Sequence, residues 1–431
     1  MATSQTKVNI RKTSGGGLPG FLRMLEIDVR LLGMVGVLLL LWFGFHVAFI
    51  FKNDIAITSV GDFFTTGFLS PRNLWNLAVQ TSVVGIIATG MVFVIVMRHI
   101  DLSVGSVLGF TGMIMAVLQT QALPVGASWN WLATLALGLV AGALIGAFQG
   151  YWIAYQLIPS FIVTLAGLLI FRGGAWLMTQ GRTVAPLDSN FQLLGGGLNG
   201  SIGAFWSWMV GLVAIVAIIL LAFQTRGKRA RLGFPVRPLW AEVLVGLAAI
   251  AAVAGFVLIM NAYNRPRTEI AQGIPIPVLV LIGVALLMTG VARLTKFGRY
   301  VYAMGGSPEA AQLAGIDTKR MTLFVFMLIG ALSALAGAVA TARLNSGVNS
   351  TGTLTELYVI AAAVIGGTSL AGGYGTVVGA IIGAVFMQSL QSGMVLLNLN
   401  SSLIQVIIGL VLIAAVWIDV LYRRRSGLTE G

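Results

Sequence analysis

Apolar runs of about twenty residues recur along almost the whole chain, and they decide what it can fold into. A run of that length, rising about 1.5 Å per residue as a helix, spans the roughly 30 Å hydrocarbon core of a bilayer. Inside lipid every backbone N–H and C=O must find its partner within the protein, so such segments become helices and not open strands. The runs lie at 29–51, 74–97, 102–118, 131–152, 161–178, 205–223, 243–262, 276–291, 321–342, 357–371, 376–397 and 403–421. They predict an all-α, polytopic membrane bundle of ten to twelve transmembrane helices. The runs 102–118 and 357–371 are short and rich in Gly and Ser, which marks them as broken helices.

Charge sets the orientation. If every run crosses, 19 of the 26 Lys and Arg share the side of the N-terminus: Lys7, Arg11, Lys12, Arg23, Arg30, Arg98, the cluster Arg226–Arg237, the group Arg293–Arg320, and Arg423–Arg425. That asymmetry is the one expected of cytoplasmic loops. Were the two weak runs not to cross, the basic loop TRGKRARLGFPVR would fall on the opposite side, so twelve crossings with both termini cytoplasmic is favoured over ten crossings with re-entrant pieces. A net charge of +13 would by itself admit nucleic acid. The basic residues, however, punctuate apolar runs in a chain that is 58% hydrophobic and form no single patch, so the bilayer and not nucleic acid is the expected environment. The 55 glycines fit helices that approach closely in lipid.

Residues 1–28 are polar and glycine-rich (SGGGLPG) and read as a cytoplasmic tail. They do not read as a cleaved signal peptide, because the apolar run that follows is too long and no small-residue cleavage site comes after it. Residues 29–422 form one membrane domain with a cytoplasmic loop at 294–320, and residues 423–431 a second cytoplasmic tail.

The catalytic inventory is thin. The absence of cysteine excludes disulfides, thiolate nucleophiles and thiolate-bound metals. There is no GxxxxGK[ST] stretch to cradle ATP phosphates, no HExxH and no Ser/His/Asp set, and the two histidines, His46 and His99, stand apart. Neither an enzyme nor a metal centre is expected. Acids within or beside the apolar runs are few: Asp101, Glu242, Glu356 and Asp419. Ion-coupled carriers place ionisable groups near the midplane, and none of these four is expected there, so the energy for transport should come from another subunit.

One short stretch in the loop 294–320, GGSPEAAQLAGID, carries both ends of a helix too short to cross anything. Ser307 is a natural N-cap, Pro308 a natural first residue, and Glu309 sets a negative charge against the positive helix end. Gly315 supplies a left-handed C-terminal cap. Between them Ala310, Leu313 and Ala314 fall on one face at i, i+3, i+4. Spacing alone allows a helix that rests on the membrane surface as readily as one that docks on a partner.

Glu309-Ala310-Ala311 followed by Gly315 resembles the EAA---G motif of ATP-binding cassette (ABC) importer permeases, without the I-x-L-P ending many of them carry. RHIDLSVGSVLGFTG, IPSFIVTLAGLLIFRGG, GRYVYAMGGSPEAAQLAGI and VIAAAVIGGTSLAGGYGTVVGA extend the likeness: over roughly residues 69–422 the chain resembles the monosaccharide ABC permeases of the ribose, xylose, arabinose and galactose importers. The stretch GIPIPVLVL and the long basic loop 225–237 are most similar to the xylose-type members. The resemblance implies a permease homodimer in a bacterial inner membrane, a periplasmic sugar-binding protein that delivers the monosaccharide, and a cytoplasmic ATPase that holds ATP and Mg and grips the short helix through Ser307, Pro308, Glu309, Ala310, Ala311, Leu313 and Gly315. No cofactor is implied in this chain. The alternative is an ion-coupled secondary sugar carrier.

Candidates for the passage are few. Arg172, inside an apolar run, either lines it or snorkels to the outer interface. Asp101 reads as a cap for its broken helix ahead of a transport contact. Ser103, Thr164, Asn76 and Gln80 carry hydrogen-bonding groups suited to sugar hydroxyls or to neighbouring helices. Gly366, Gly367, Gly372 and Gly373 frame a broken segment that serves either gating or close packing.

Overall fold

A computed structural model of the chain describes residues 29–425 and contains only helices and connecting segments among them. In chain order the helices are α1 (Val29–Lys52), α2 (Val60–Thr65), α3 (Pro71–Val96), α4 (Val104–Val117), α5 (Asn130–Ala154), α6 (Ser160–Thr179), α7 (Ser189–Gln192), α8 (Gly203–Arg231), α9 (Leu239–Asn261), α10 (Ile276–Leu294), α11 (Lys296–Gly306), α12 (Pro308–Leu313), α13 (Thr318–Leu344), α14 (Thr355–Ile365), α15 (Val377–Leu396) and α16 (Ser401–Arg425). Ten helical segments among the described residues are long and apolar enough to cross a membrane. The expected tails at 1–28 and 426–431 lie outside the described residues, and Arg423–Arg425 continue α16.

The chain divides into two compact units. The larger holds Met34–Trp208 and Val257–Gly431. At its centre runs α3, which carries no charge after Arg72 and is apolar on all sides from Val83 to Val96, so it is buried over most of its length. Helices α10, α13, α14 and α15 pack around it. By contrast α5 and α6 show Leu132, Leu144, Leu165 and Leu169 at the surface, the outward apolar faces that lipid requires.

Small residues set the closest contact. On α5, Gly138, Gly142, Gly146 and Gly150 repeat every four residues and form one buried stripe. The lower three face α13: a Cβ on Gly142 would sit 2.6 Å from the Ala334 Cβ, and one on Gly150 would sit 3.0 Å from the Leu323 Cα. Where lipid is as apolar as the helices, backbone approach of this kind is what brings them together.

The two weak apolar runs behave differently. Residues 104–122 form a continuous helix, α4 finished by a π-helical turn, Leu118–Ala122, and reach spanning length. The run 357–371 does not form one helix, which departs from the expected span. Its helical part, α14, has 11 residues and stops at Gly366, because Gly367 takes φ +86° and the chain turns back. Eleven residues rise about 16 Å, half a bilayer core. The segment before α14, 345–354, is a chain of turns, with the Thr351 N–H on the Val348 carbonyl and the Thr353 N–H on the Ser350 carbonyl, and it runs beside α4 as far as its first turn. There a Cβ on Gly105 would strike the Gly352 carbonyl and the Glu356 carboxylate, so only glycine lets the two backbones meet.

The smaller unit, Met1–Gly33 with Met209–Phe256, holds most of α8 and α9. The turn between these helices is tied by the ion pair of Arg226 with Glu242 and by a bond from Arg226 to the Arg237 carbonyl of 3.2 Å.

Candidate functional site

The short helix α12 is built as its sequence dictates. The Ser307 hydroxyl accepts from the Ala310 N–H at 3.2 Å, Pro308 opens the helix, and Gly315 at φ +82° ends it, its N–H donating to the Gln312 carbonyl at 3.0 Å. Ala311 is the one side chain of the helix that is buried. Ala310, Leu313 and Ala314 are exposed, and Leu313 is 91% exposed. A leucine so bare at the end of a membrane bundle, on a helix fixed by both caps, has no partner within the larger unit.

Just before it lies α11, which sequence reasoning left inside a loop. Thr295 caps it, its hydroxyl accepting from the Gly298 N–H at 3.2 Å, and Val301, Met304 and Gly305 form its buried face. Its last turn is clamped to the end of α3. Arg98, in the left-handed region at φ +65°, donates from Nε to the Gly305 carbonyl at 3.0 Å and from Nη2 to the Gly306 carbonyl at 2.8 Å. A third element joins there: the Gly373 N–H donates to the Val96 carbonyl at 3.0 Å, and the Tyr302 hydroxyl donates to the Gly375 carbonyl at 2.7 Å. Gly372 and Gly373, with φ +89° and +75°, thus form the turn that leads into α15. The starting end of α15 and the finishing end of α3 meet at the base of α12.

At their other ends the same two antiparallel helices border an open polar cavity of about 340 Å³, lined by Asn73, Asn76, Gln80, Gln391, Ser392, Val395, Leu396 and Asn398. On α3, Asn73, Asn76 and Gln80 fall at i, i+3, i+7; on α15, Gln388, Gln391 and Ser392 fall at i, i+3, i+4. Gln388 Nε2 donates to Gln80 Oε1 at 2.8 Å and to Gln391 Oε1 at 3.2 Å, and the Ser392 hydroxyl donates to Asn73 Oδ1 at 3.3 Å. Asn76 and Gln80, singled out from the sequence, therefore come together. Their partners on α15 were missed, although QSLQS at 388–392 shows the same helical spacing.

The remaining candidates form two structural clusters. Asp101, buried in the turn between α3 and α4, accepts through Oδ1 from the Ser103 N–H at 2.8 Å and the Ser103 hydroxyl at 2.7 Å. Burial pushes its carboxyl up to about 6, while the two Ser103 bonds pull the other way. Gln149 Nε2 donates to the Ser103 hydroxyl at 2.9 Å, and the Thr164 hydroxyl donates to the Ser160 carbonyl at 2.9 Å. Arg172 on α6 neither lines the amide cavity nor stands alone. Its Nη1 donates to the carbonyls of Asn349 at 3.2 Å and Thr351 at 3.0 Å, in the run of turns that leads into α14. The packing pair among the glycines is Gly366 with Gly379, where a Cβ on Gly366 would lie 2.5 Å from the Gly379 carbonyl carbon.

Residues 73–416 match the family of branched-chain amino acid transport system / permease component proteins. The chain belongs to this permease family. It is 39% identical to the xylose transport system permease protein XylH of Escherichia coli strain K12 over 386 residues, 88% of this chain and 93% of the relative. The xylose transport system permease protein XylH of Haemophilus influenzae is 40% identical over 372 residues, 85% and 94% of the two chains. The ribose import permease protein RbsC of the same organism is 32% identical over 365 residues, 85% and 90%. No solved structure matches. The permease is a multi-pass membrane protein. What its geometry offers is a neutral polar cavity at one end of two helices and, at the other end of the same helices, a small capped helix with a bare leucine.

Proposed function

We propose that this permease is the membrane subunit of an ABC importer that passes a monosaccharide, D-xylose, from a periplasmic binding protein into the cytoplasm. Two copies form the passage in the inner membrane, with both termini cytoplasmic. A partner ATPase, which carries the ATP and Mg, receives α12 in a groove and moves it. The observation that carries the reading is α12: a helix of fixed geometry with Leu313 bare, set where α3, α11 and α15 converge. The xylose and ribose names of its relatives support the cargo class.

The test is uptake into proteoliposomes that hold the permease with its ATPase and binding protein, offered xylose, ribose, arabinose and galactose. ATP-dependent uptake with xylose preferred is the expected result. Uptake that persists without the ATPase and collapses when a proton or sodium gradient is dissipated would replace this reading with a secondary carrier.

A further inference from the structure

The permease family is described for branched-chain amino acids and the xylose and ribose relatives for sugars, and the cavity between α3 and α15 bears on which cargo fits this chain. We infer that the amide-lined cavity is a cargo subsite of the permease itself, built for a neutral polyhydroxylated molecule such as a monosaccharide and unsuited to a zwitterionic amino acid. This inference rests on the transport reading above.

Its lining contains four amide side chains from Asn73, Asn76, Gln80 and Gln391, a fifth from Asn398, one hydroxyl and no ionisable group. An amino acid would bring an ammonium into a lining that holds no acidic group, and charged groups are costly to desolvate unpaired. A sugar hydroxyl is both a donor and a double acceptor, and a carboxamide offers two N–H donors and one acceptor carbonyl, so the two chemistries match without net charge. The Lys52 ammonium, held beside the rim on the Leu397 carbonyl, could meet the carboxylate of an amino acid but leaves that molecule's ammonium without a partner.

The hydrogen bonds already present leave the right groups over. Gln388 holds the carbonyl oxygens of Gln80 and Gln391, and Asn73 is engaged by Ser392 and donates to the Phe68 carbonyl at 2.8 Å. The side-chain amides of Asn76 and Asn398, both exposed, have no hydrogen-bond partner among the described residues, and the half-buried amide N–H groups of Gln80 and Gln391 are likewise open. Fixing the oxygens while leaving donors unspent is how a polar cavity is held ready for a ligand and does not simply glue two helices. Size agrees: about 340 Å³ lies at the small end of the roughly 300–1,000 Å³ range of small-molecule sites. Below Gln80 and Gln388 the two helices turn apolar, with Val83, Val84, Ile381 and Ala384 packed into the core. The cavity is therefore a blind vestibule that ends on an apolar plug, which gives a hydrated sugar a place to wait and no open channel to leak through.

Because the chain contains no cysteine, Asn76→Cys introduces its only thiol. In permease alone, labelling of Asn76→Cys by a membrane-impermeant maleimide should be slowed at least threefold by millimolar D-xylose and left unchanged by L-leucine; Asn398→Cys gives a second reporter should the first fail to insert. In the complete transporter, Asn76→Leu combined with Gln391→Leu spares the Gln80–Gln388 and Asn73–Ser392 links, so melting temperature and co-purification of the ATPase should hold. D-Xylose uptake below saturation should fall about tenfold, the loss expected for two ordinary hydrogen bonds. Equal protection by sugar and leucine, no protection by either, or uptake at the unmodified rate in the double variant overturns the subsite. If unmodified transporter shows no ATP-dependent uptake, the importer reading falls, while the thiol experiment still decides whether the cavity takes a sugar.

Discussion

Arg98 offers the sharpest test of how motion at α12 reaches the cavity. Its guanidinium makes two charge-assisted hydrogen bonds to the last carbonyls of α11, one part-buried and one exposed. Bonds to a charged group contribute about 1.5–3 kcal/mol each when buried. Exposure of the second lowers the pair to about 2 kcal/mol, a factor of roughly 30 in the balance between clamped and released α11. Arg98→Ala removes both bonds and keeps the strain of φ +65°; Arg98→Gly removes both and relieves that strain, by about 1 kcal/mol. The Gly variant should therefore melt at a higher temperature than the Ala variant, yet both should hydrolyse several times more ATP per sugar carried. Gly305→Ala attacks the same joint from the other side, because its Cβ would strike the Val96 carbonyl. The assay is simultaneous measurement of phosphate release and sugar uptake in proteoliposomes. If Arg98→Ala transports with the unmodified ratio of ATP to sugar, the clamp is structural only and the path from α12 to α3 must run elsewhere.

Leu313→Asp puts a charge on the bare face of α12, and Gly315→Val forces a β-branched residue to φ +82°; both variants should insert normally, with ATPase co-purification weakened most by Leu313→Asp and sugar-stimulated hydrolysis lost in both. Arg172→Ala strips the Asn349 and Thr351 carbonyls, in the turns before α14, of their donor and should lower the melting temperature and slow uptake while ATPase docking persists; Arg172→Lys should restore part of both, because one ammonium replaces a planar fork. Gly146→Val drives a side chain into the backbone of Phe326 and should cost several kcal/mol of stability, read as loss of monodisperse protein in size-exclusion chromatography. Asp101 titrates near 6 in the fold against an ordinary 3.8, so its stabilising balance is complete below the ordinary value and is lost as pH rises through about 6; Asp101→Asn should flatten the melting temperature across that window.

What the sequence could show follows from the range of the forces involved. Apolar runs and helix caps are local, so α1, α3, α5 and α13, and both ends of α12 with Ser307 and Gly315, were legible directly. An apolar run shows its length but not where its helix stops, which is why 357–371 was read as one span although α14 ends at Ile365 and Gly366 and Gly367 marked the break. Helix α11 was hidden by Lys296 and Arg299, whose charges made it resemble loop, while the Thr295 cap and the spacing of Val301, Met304 and Gly305 were present. Asn76 and Gln80 could be named one by one. That they meet Gln388, Gln391 and Ser392 depends on α3 lying antiparallel to α15, a long-range pairing with no local signature.

That antiparallel pairing gives the arrangement its mechanical sense. A helix resists bending over its length, so a displacement imposed at one end appears at the other, and α3 at 26 residues is about 39 Å long. The two helices that wall the cavity are those whose opposite ends are gathered at the base of α12 by Arg98, Gly373 and Tyr302. Between the two ends, α3 is buried among helices that pack without charge, so it can tilt as a body and has no ion pairs to break along the way. Among the described residues, the side-chain links that join α3 to α15 lie at the cavity, at Gln80–Gln388 and Asn73–Ser392. A tilt that separates the pair at the α12 end would therefore be felt first at those links, where an incoming hydroxyl can replace a lost amide partner. The apolar plug beneath them, packed through Val83, Val84, Ile381 and Ala384, can part without leaving a polar group unpaired.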